Sequence, residues 1–222
     1  MTGSGVRRMC VRAGVALGVL TGCVVSPARA ETGGDATGIM SRVKARLDGL
    51  STLSCSFRRE HMWKEIGKTQ RFEGAIRLKK PGRLRVEYPA QTIVSDGRTS
   101  WTYTPRNKQV VVSRAREGGE EYPTPQSIFR RYAQRKAKLD GNERVDGRDT
   151  DVIHLLPQTE DEADVTVWID RALFFPVKTV ERHPNGDVTV SELQDVVING
   201  KIPDTMFTFK VPDGVSVVDM RE

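Results

Sequence analysis

The chain has 222 residues and carries 35 lysines and arginines against 29 acids, a formal net charge of +6 with a pI near 9.4. Of its three cysteines only Cys55 lies beyond residue 30, which excludes a disulfide-stapled scaffold, and no apolar run after residue 30 reaches the length of a transmembrane helix. The basic excess first suggests a nucleic-acid partner, but much of it sits at the very start of the chain.

Residues 1–30 have the pattern of an export signal: Arg7, Arg8 and Arg12 come first, Ala13 to Val25 is nearly all small or apolar, and Ala28-Arg29-Ala30 offers a small-x-small cleavage site before Glu31. Removing four arginines and no acid leaves 31 basic residues against 29 acidic, so the mature chain is close to neutral and nucleic acid is not an expected partner. Leu20-Thr21-Gly22-Cys23 also resembles a lipobox. Cleavage after Ala30 leaves a soluble periplasmic protein, whereas cleavage before Cys23 leaves a membrane-anchored lipoprotein on a tether. Residues 31–38 read as a flexible N-terminus and 39–222 as one folded domain, long enough to bury a core without cross-links.

Ile39, Val43, Leu47 and Leu50 recur at helical spacing and predict a helix over 37–50. The period then changes to two. Leu53, Cys55 and Phe57 share the apolar face of a first strand, and Cys55 reads as a small buried hydrophobe. Phe72, Ile76 and Leu78 follow, then Leu84, Val86 and Tyr88 beyond a Lys80-Pro81-Gly82 turn, then Trp101 and Tyr103, then Gln109 to Ser113. Thr124-Pro125 fits an N-cap with proline at the first helical position, so a second helix carries Ile128, Phe129 and Tyr132. Strands resume at Asp151–Leu156, Asp164–Asp170 and Val177–Arg182, and Pro184-Asn185-Gly186-Asp187 is a hairpin signal leading into Val188–Ile198. The sum is nine to eleven antiparallel strands in one curved sheet with helices over one face.

No triad or metal-ligand spacing is present. His61, His154 and His183 are far apart, Glu160-Asp161-Glu162 with Asp164 lacks the spacing of a calcium loop, and there is no phosphate-binding glycine loop, so no enzyme, cofactor or metal is expected. Arg130, Arg131, Arg135, Lys136 and Lys138 read as a solvated face of the middle helix, with anionic lipid or an acidic partner as the alternative.

Several segments together resemble the LolA family of outer-membrane lipoprotein carriers. They are Phe72-x-Gly74 through Leu78-Lys79-Lys80-Pro81 into Leu84 to Tyr88, Val94-Ser95-Asp96-Gly97-Arg98-Thr99-x-Trp101-x-Tyr103-x-Pro105 with Gln109-Val110, and Phe207-Thr208-Phe209 with Pro212-x-Gly214-Val215. The likeness runs from about Ile39 to Asp219. It implies a mainly β fold with helices, an open antiparallel half-barrel covered by a helical lid. It also implies a monomeric periplasmic chaperone that takes acylated lipoproteins from an inner-membrane ATP-driven releasing complex and passes them to an outer-membrane lipoprotein acceptor. On the shared period of two, Phe57, Phe72, Ile76, Leu78, Leu84, Val86, Tyr88, Trp101 and Tyr103 are expected on the concave side against the acyl chains. Lys80, Ile128 and Phe129 are expected at the lid. Where the family often has a lid-holding arginine before the proline this chain has Lys80, which lacks a forked guanidinium, so Arg83 and Arg85 are alternative holders. Two other functions fit the same fold: a lipid-anchored acceptor using Cys23, and a lipid-binding sensor.

Overall fold

The computed structural model describes residues 35–115 and 124–221, the side chains at 125–128 excepted. The export-signal and lipobox readings at 1–30 lie outside the described residues, as do positions 31–34 of the expected flexible N-terminus.

The first helix, α1 (Ala36–Asp48), starts two residues before the boundary drawn at 38, because Asp35 caps it by accepting from the Thr37 N–H at 3.3 Å. Its buried stripe is Ala36, Ile39, Val43 and Leu47. Six strands follow: β1 (Thr52–Trp63), β2 (Lys68–Lys79), β3 (Arg83–Tyr88), β4 (Gln91–Asp96), β5 (Thr99–Thr104) and β6 (Gln109–Arg114). After α2 (Pro125–Tyr132) come β7 (Ala137–Val145), β8 (Arg148–Leu155), β9 (Asp164–Asp170), β10 (Phe175–Arg182) and β11 (Val188–Ile198). A 3-10 turn (Asp204–Phe207) and β12 (Ser216–Asp219) close the described chain.

All twelve strands form one open sheet in the order β12-β6-β5-β4-β3-β2-β1-β11-β10-β9-β8-β7. The first meander runs outward from β1, and the second starts at the opposite edge and works back until β11 pairs with β1, so the two longest ladders meet at the centre. The sheet is not antiparallel throughout as expected: β12 lies parallel to β6, with Val217 opposite Val110. The chain reaches that position by crossing the back of the sheet, so it arrives at the β6 edge in the same direction as β6.

Cross-strand partners share a face, and the register defines two. On the inner face Leu53, Cys55 and Phe57 of β1 align with Leu78, Ile76 and Gly74 of β2, and Ile76 aligns with Val86 of β3 and that with Ile93 of β4. These residues join Val165, Val167 and Ile153 of the second meander and the buried stripe of α1 in one hydrophobic cluster. The helix is fixed there by polar contacts as well: Arg46 donates to the Leu173 carbonyl at 2.9 Å, and the Arg42 guanidinium sits 5.1 Å from the centre of the Phe174 ring. Cys55 is buried at 3% exposure, and desolvation pushes its thiol up to about 12.

The outer face carries an apolar patch at the β4–β6 end. There Val94 aligns with Trp101 and Trp101 with Val112, while Tyr103 aligns with Val110. The C-terminal segment covers this patch: Phe207 is buried, and Phe209 stands 6.4 Å from Trp101 and 6.1 Å from Tyr103 between ring centres. Lys79 and Arg83 bind the Asp204 carboxylate at 2.5 and 2.7 Å, and Arg85 donates to the Met206 carbonyl at 3.3 Å. These cations hold the Asp204 carboxyl below its usual range, the Lys79 hydrogen bond being the largest cause.

Candidate binding groove

An apolar groove of about 530 Å³ lies on the inner face across β3, β2, β1, β11 and β10. Its apolar lining is Phe57 of β1, Phe72 and Ile76 of β2, Val86 and Tyr88 of β3, Val177 of β10 and Leu193 of β11. Phe57 aligns with Leu193 on one side and with Gly74 on the other, so its ring is at the middle of the sheet. Gly74 is required here. A Cβ at that position would stand 2.7 Å from the Phe57 ring and 2.2 Å from the Glu87 carbonyl oxygen, both well inside contact distance. Tyr88, whose phenol burial pushes up, donates its hydroxyl to the Gln91 side chain, so the one polar atom on that part of the wall is satisfied.

The groove becomes polar toward the β1–β2 hairpin, where Arg59, His61, Trp63 and Gln70 line it. His61 pairs its Nδ1 with the Thr189 hydroxyl at 2.8 Å and packs edge-on against Trp63, ring centres 4.4 Å apart. Asp187 behind it is held low chiefly by the Lys64 backbone N–H. Among the described residues no group of three or more His, Cys, Asp or Glu side chains is placed to hold a metal ion.

Of the residues singled out in the sequence, Phe57, Phe72, Ile76, Val86 and Tyr88 are brought together in the groove. Leu84 and Leu78 share the inner face but belong to the packed cluster instead of the groove lining. Trp101 and Tyr103 do not face the groove. The register puts Trp101 in line with Val94 and Arg85, on the face opposite Val86, because the apolar side of β4 to β6 is buried under the C-terminal segment.

Lys80 donates to the Asp48 carbonyl at 2.8 Å and reaches the Leu47 carbonyl at 3.5 Å, at the C-terminal end of α1, where a cation also meets the favourable end of the helix dipole. Arg83 and Arg85 cannot substitute for it, since both point to the outer face and hold the C-terminal segment. Phe129 is half-buried against the inner cluster; the Ile128 side chain lies outside the described residues. The basic stripe is not one solvated helix face. Lys138 is on β7, and the Arg135 side chain is only 8% exposed, donating to the Ala163 carbonyl at 2.6 Å, pairing with Glu162 at 2.8 Å and lying 4.6 Å from the centre of the Tyr132 ring. Burial and then the Glu181 charge push the Tyr132 phenol up.

A single open sheet that keeps an apolar groove on one face is the architecture of a binding protein for apolar ligands. The chain belongs to the LolA family, described as Outer membrane lipoprotein carrier protein LolA, which it matches over residues 48–210. It is 28% identical to the outer-membrane lipoprotein carrier protein of Nitrosospira multiformis, over 82% of this chain and 89% of the relative. It is 27% identical to that of Chromohalobacter salexigens, over 86% of this chain and 89% of the relative. In fold alone it is similar to an uncharacterized conserved protein from Thermus thermophilus, with a TM-score of 0.54 at 16% identity, covering 83% of this chain and 98% of that one.

Proposed function

We propose that this protein is a periplasmic carrier that shields the acyl chains of lipoproteins on their way from the inner to the outer membrane. The observation that carries the reading is the groove: aromatic and aliphatic side chains from five adjacent strands, left open on the inner face of a protein of this family. A sixteen-carbon chain exposes about fifteen methylenes, so hiding it from water is worth on the order of 12 kcal/mol. A groove can recover much of that by contact alone. No covalent step and no cofactor enter, and the acylated lipoprotein is the partner, received from an ATP-driven releasing complex and surrendered to an outer-membrane acceptor.

The half-barrel with a helical lid belongs to the same proposal. A methylene takes up roughly the 30 Å³ share of one liquid water, so the groove holds about one acyl chain as it stands. A lipoprotein with several chains needs more room. α1, held at its end by Lys80, and α2, through Ile128 and Phe129, are the covering elements that would move. The test is reconstitution: purified protein should extract a triacylated lipopeptide from inner-membrane vesicles and deliver it to an acceptor, and Leu193→Asp or Phe57→Asp should abolish extraction. Delivery that survives a charge in the groove floor would refute this function.

A further inference from the structure

Resting on the acyl-groove reading above, we infer that the groove also accepts a single-chain anionic amphiphile, a long-chain fatty acid, with its carboxylate on Arg59. Three basic residues, Arg58, Arg59 and Lys178, border the groove, but the register puts Arg58 and Lys178, both aligned with Glu192, on the opposite face of the sheet. Arg58 is held by Glu73 at 2.9 Å and Lys178 by Glu192 at 3.1 Å. The Arg59 side chain has no hydrogen-bond or ion-pair partner among the described residues. Its strand position is on the inner face, aligned with Phe72 on β2 and Ser191 on β11, one step along β1 from Phe57. An unpaired guanidinium is thus set at the boundary between an apolar trough and a polar rim.

A group in that position selects for chemistry. It is half-buried, so an anion beside it is less screened than one in open water, and its planar fork fits a carboxylate through two parallel hydrogen bonds. One guanidinium matches one negative charge. The volume points the same way, because 530 Å³ at roughly 30 Å³ per methylene is room for on the order of seventeen carbons, a single chain and not two. His61 and Gln70 beyond Arg59 make that end polar, so the chain extends the other way, toward Phe57, Ile76 and Val86. The acidic groups near this end are otherwise engaged: Glu192 by Lys178, Asp187 by the Lys64 backbone, and Glu181 buried beside Tyr132.

The experiment is calorimetric titration of the protein lacking its first thirty residues with palmitate, with monopalmitoylglycerol as a neutral ligand of equal chain length, and with a triacylated lipopeptide. Palmitate is expected to bind the unaltered protein at least tenfold more tightly than the neutral ligand, the size of one charge-assisted contact. Arg59→Gln should lose roughly that factor for palmitate and leave the neutral ligand unchanged. Equal affinities in the unaltered protein overturn the inference whether or not the variant folds, and so does an Arg59→Gln protein that loses both ligands alike. Lipopeptide binding without palmitate binding sinks this inference and leaves the carrier function standing. Failure of both ligands sinks both.

Discussion

The ring of Phe57 occupies the space that any side chain at position 74 would need, so the groove floor depends on a glycine on the neighbouring strand. Gly74→Ala should destabilise the protein by about 3 kcal/mol, since it forces the ring and the Glu87 carbonyl apart in a packed region. Chemical denaturation measures it. Adding Phe57→Ala should restore only part of the loss, because the backbone clash remains.

Lys80 ties the β2–β3 turn to the end of α1 by two carbonyl contacts. Removing it in Lys80→Ala should cost about 1 kcal/mol in unfolding experiments. It should also raise binding of a hydrophobic dye to the ligand-free protein as α1 loosens over the inner face. Lys80→Arg should retain both properties near the original level.

The hold on the C-terminal segment depends on pH with a definite sign. Asp204 has a folded pKa below its ordinary value, so its pairing with Lys79 and Arg83 stabilises fully above the ordinary carboxylate range and is lost as pH falls through the folded value. Trp101 fluorescence should therefore report detachment of Phe209 in acid. In Asp204→Asn the segment should be loosened already at neutral pH, with a flatter acid response.

If α2 covers the inner face as proposed, replacing both Ile128 and Phe129 with serine should increase dye binding by the ligand-free protein several-fold, because more apolar surface then meets water. Unchanged dye binding and unchanged lipopeptide transfer in a folded double variant would leave α2 a packing element only.

Mass spectrometry of the mature N-terminus separates free diffusion from anchoring. A free Glu31 is expected for a carrier; a diacylglyceryl group on Cys23 would make the protein membrane-anchored and turn the functional reading toward an acceptor.

Most of the first meander was legible because the inner face of β1 to β3 carries apolar residues at a period of two, so Phe57, Phe72, Ile76, Val86 and Tyr88 fall into phase. The phase fails at β4, where Ile93 and Val94 are adjacent and both buried, one on each face. Trp101 and Tyr103 follow Val94, and what covers them, Phe207 and Phe209, is about a hundred residues further on. Strand β4 ends in a strong turn signal at Ser95-Asp96-Gly97, which hid it, and β7 is polar enough to pass for part of a basic helix face. Leu193 and Arg59 belong to the groove because β11 pairs with β1, a contact across more than a hundred residues that no local pattern announces.

The buried thiol of Cys55 has a practical consequence. With its ionised form suppressed by desolvation, it is a poor nucleophile at neutral pH, and a chain cleaved after Ala30 contains no other cysteine. A cysteine introduced on α1, on α2 or at the groove rim would therefore react alone with a maleimide probe. Spin labels or fluorophore pairs could then test whether the helices move over the groove without first removing a native residue.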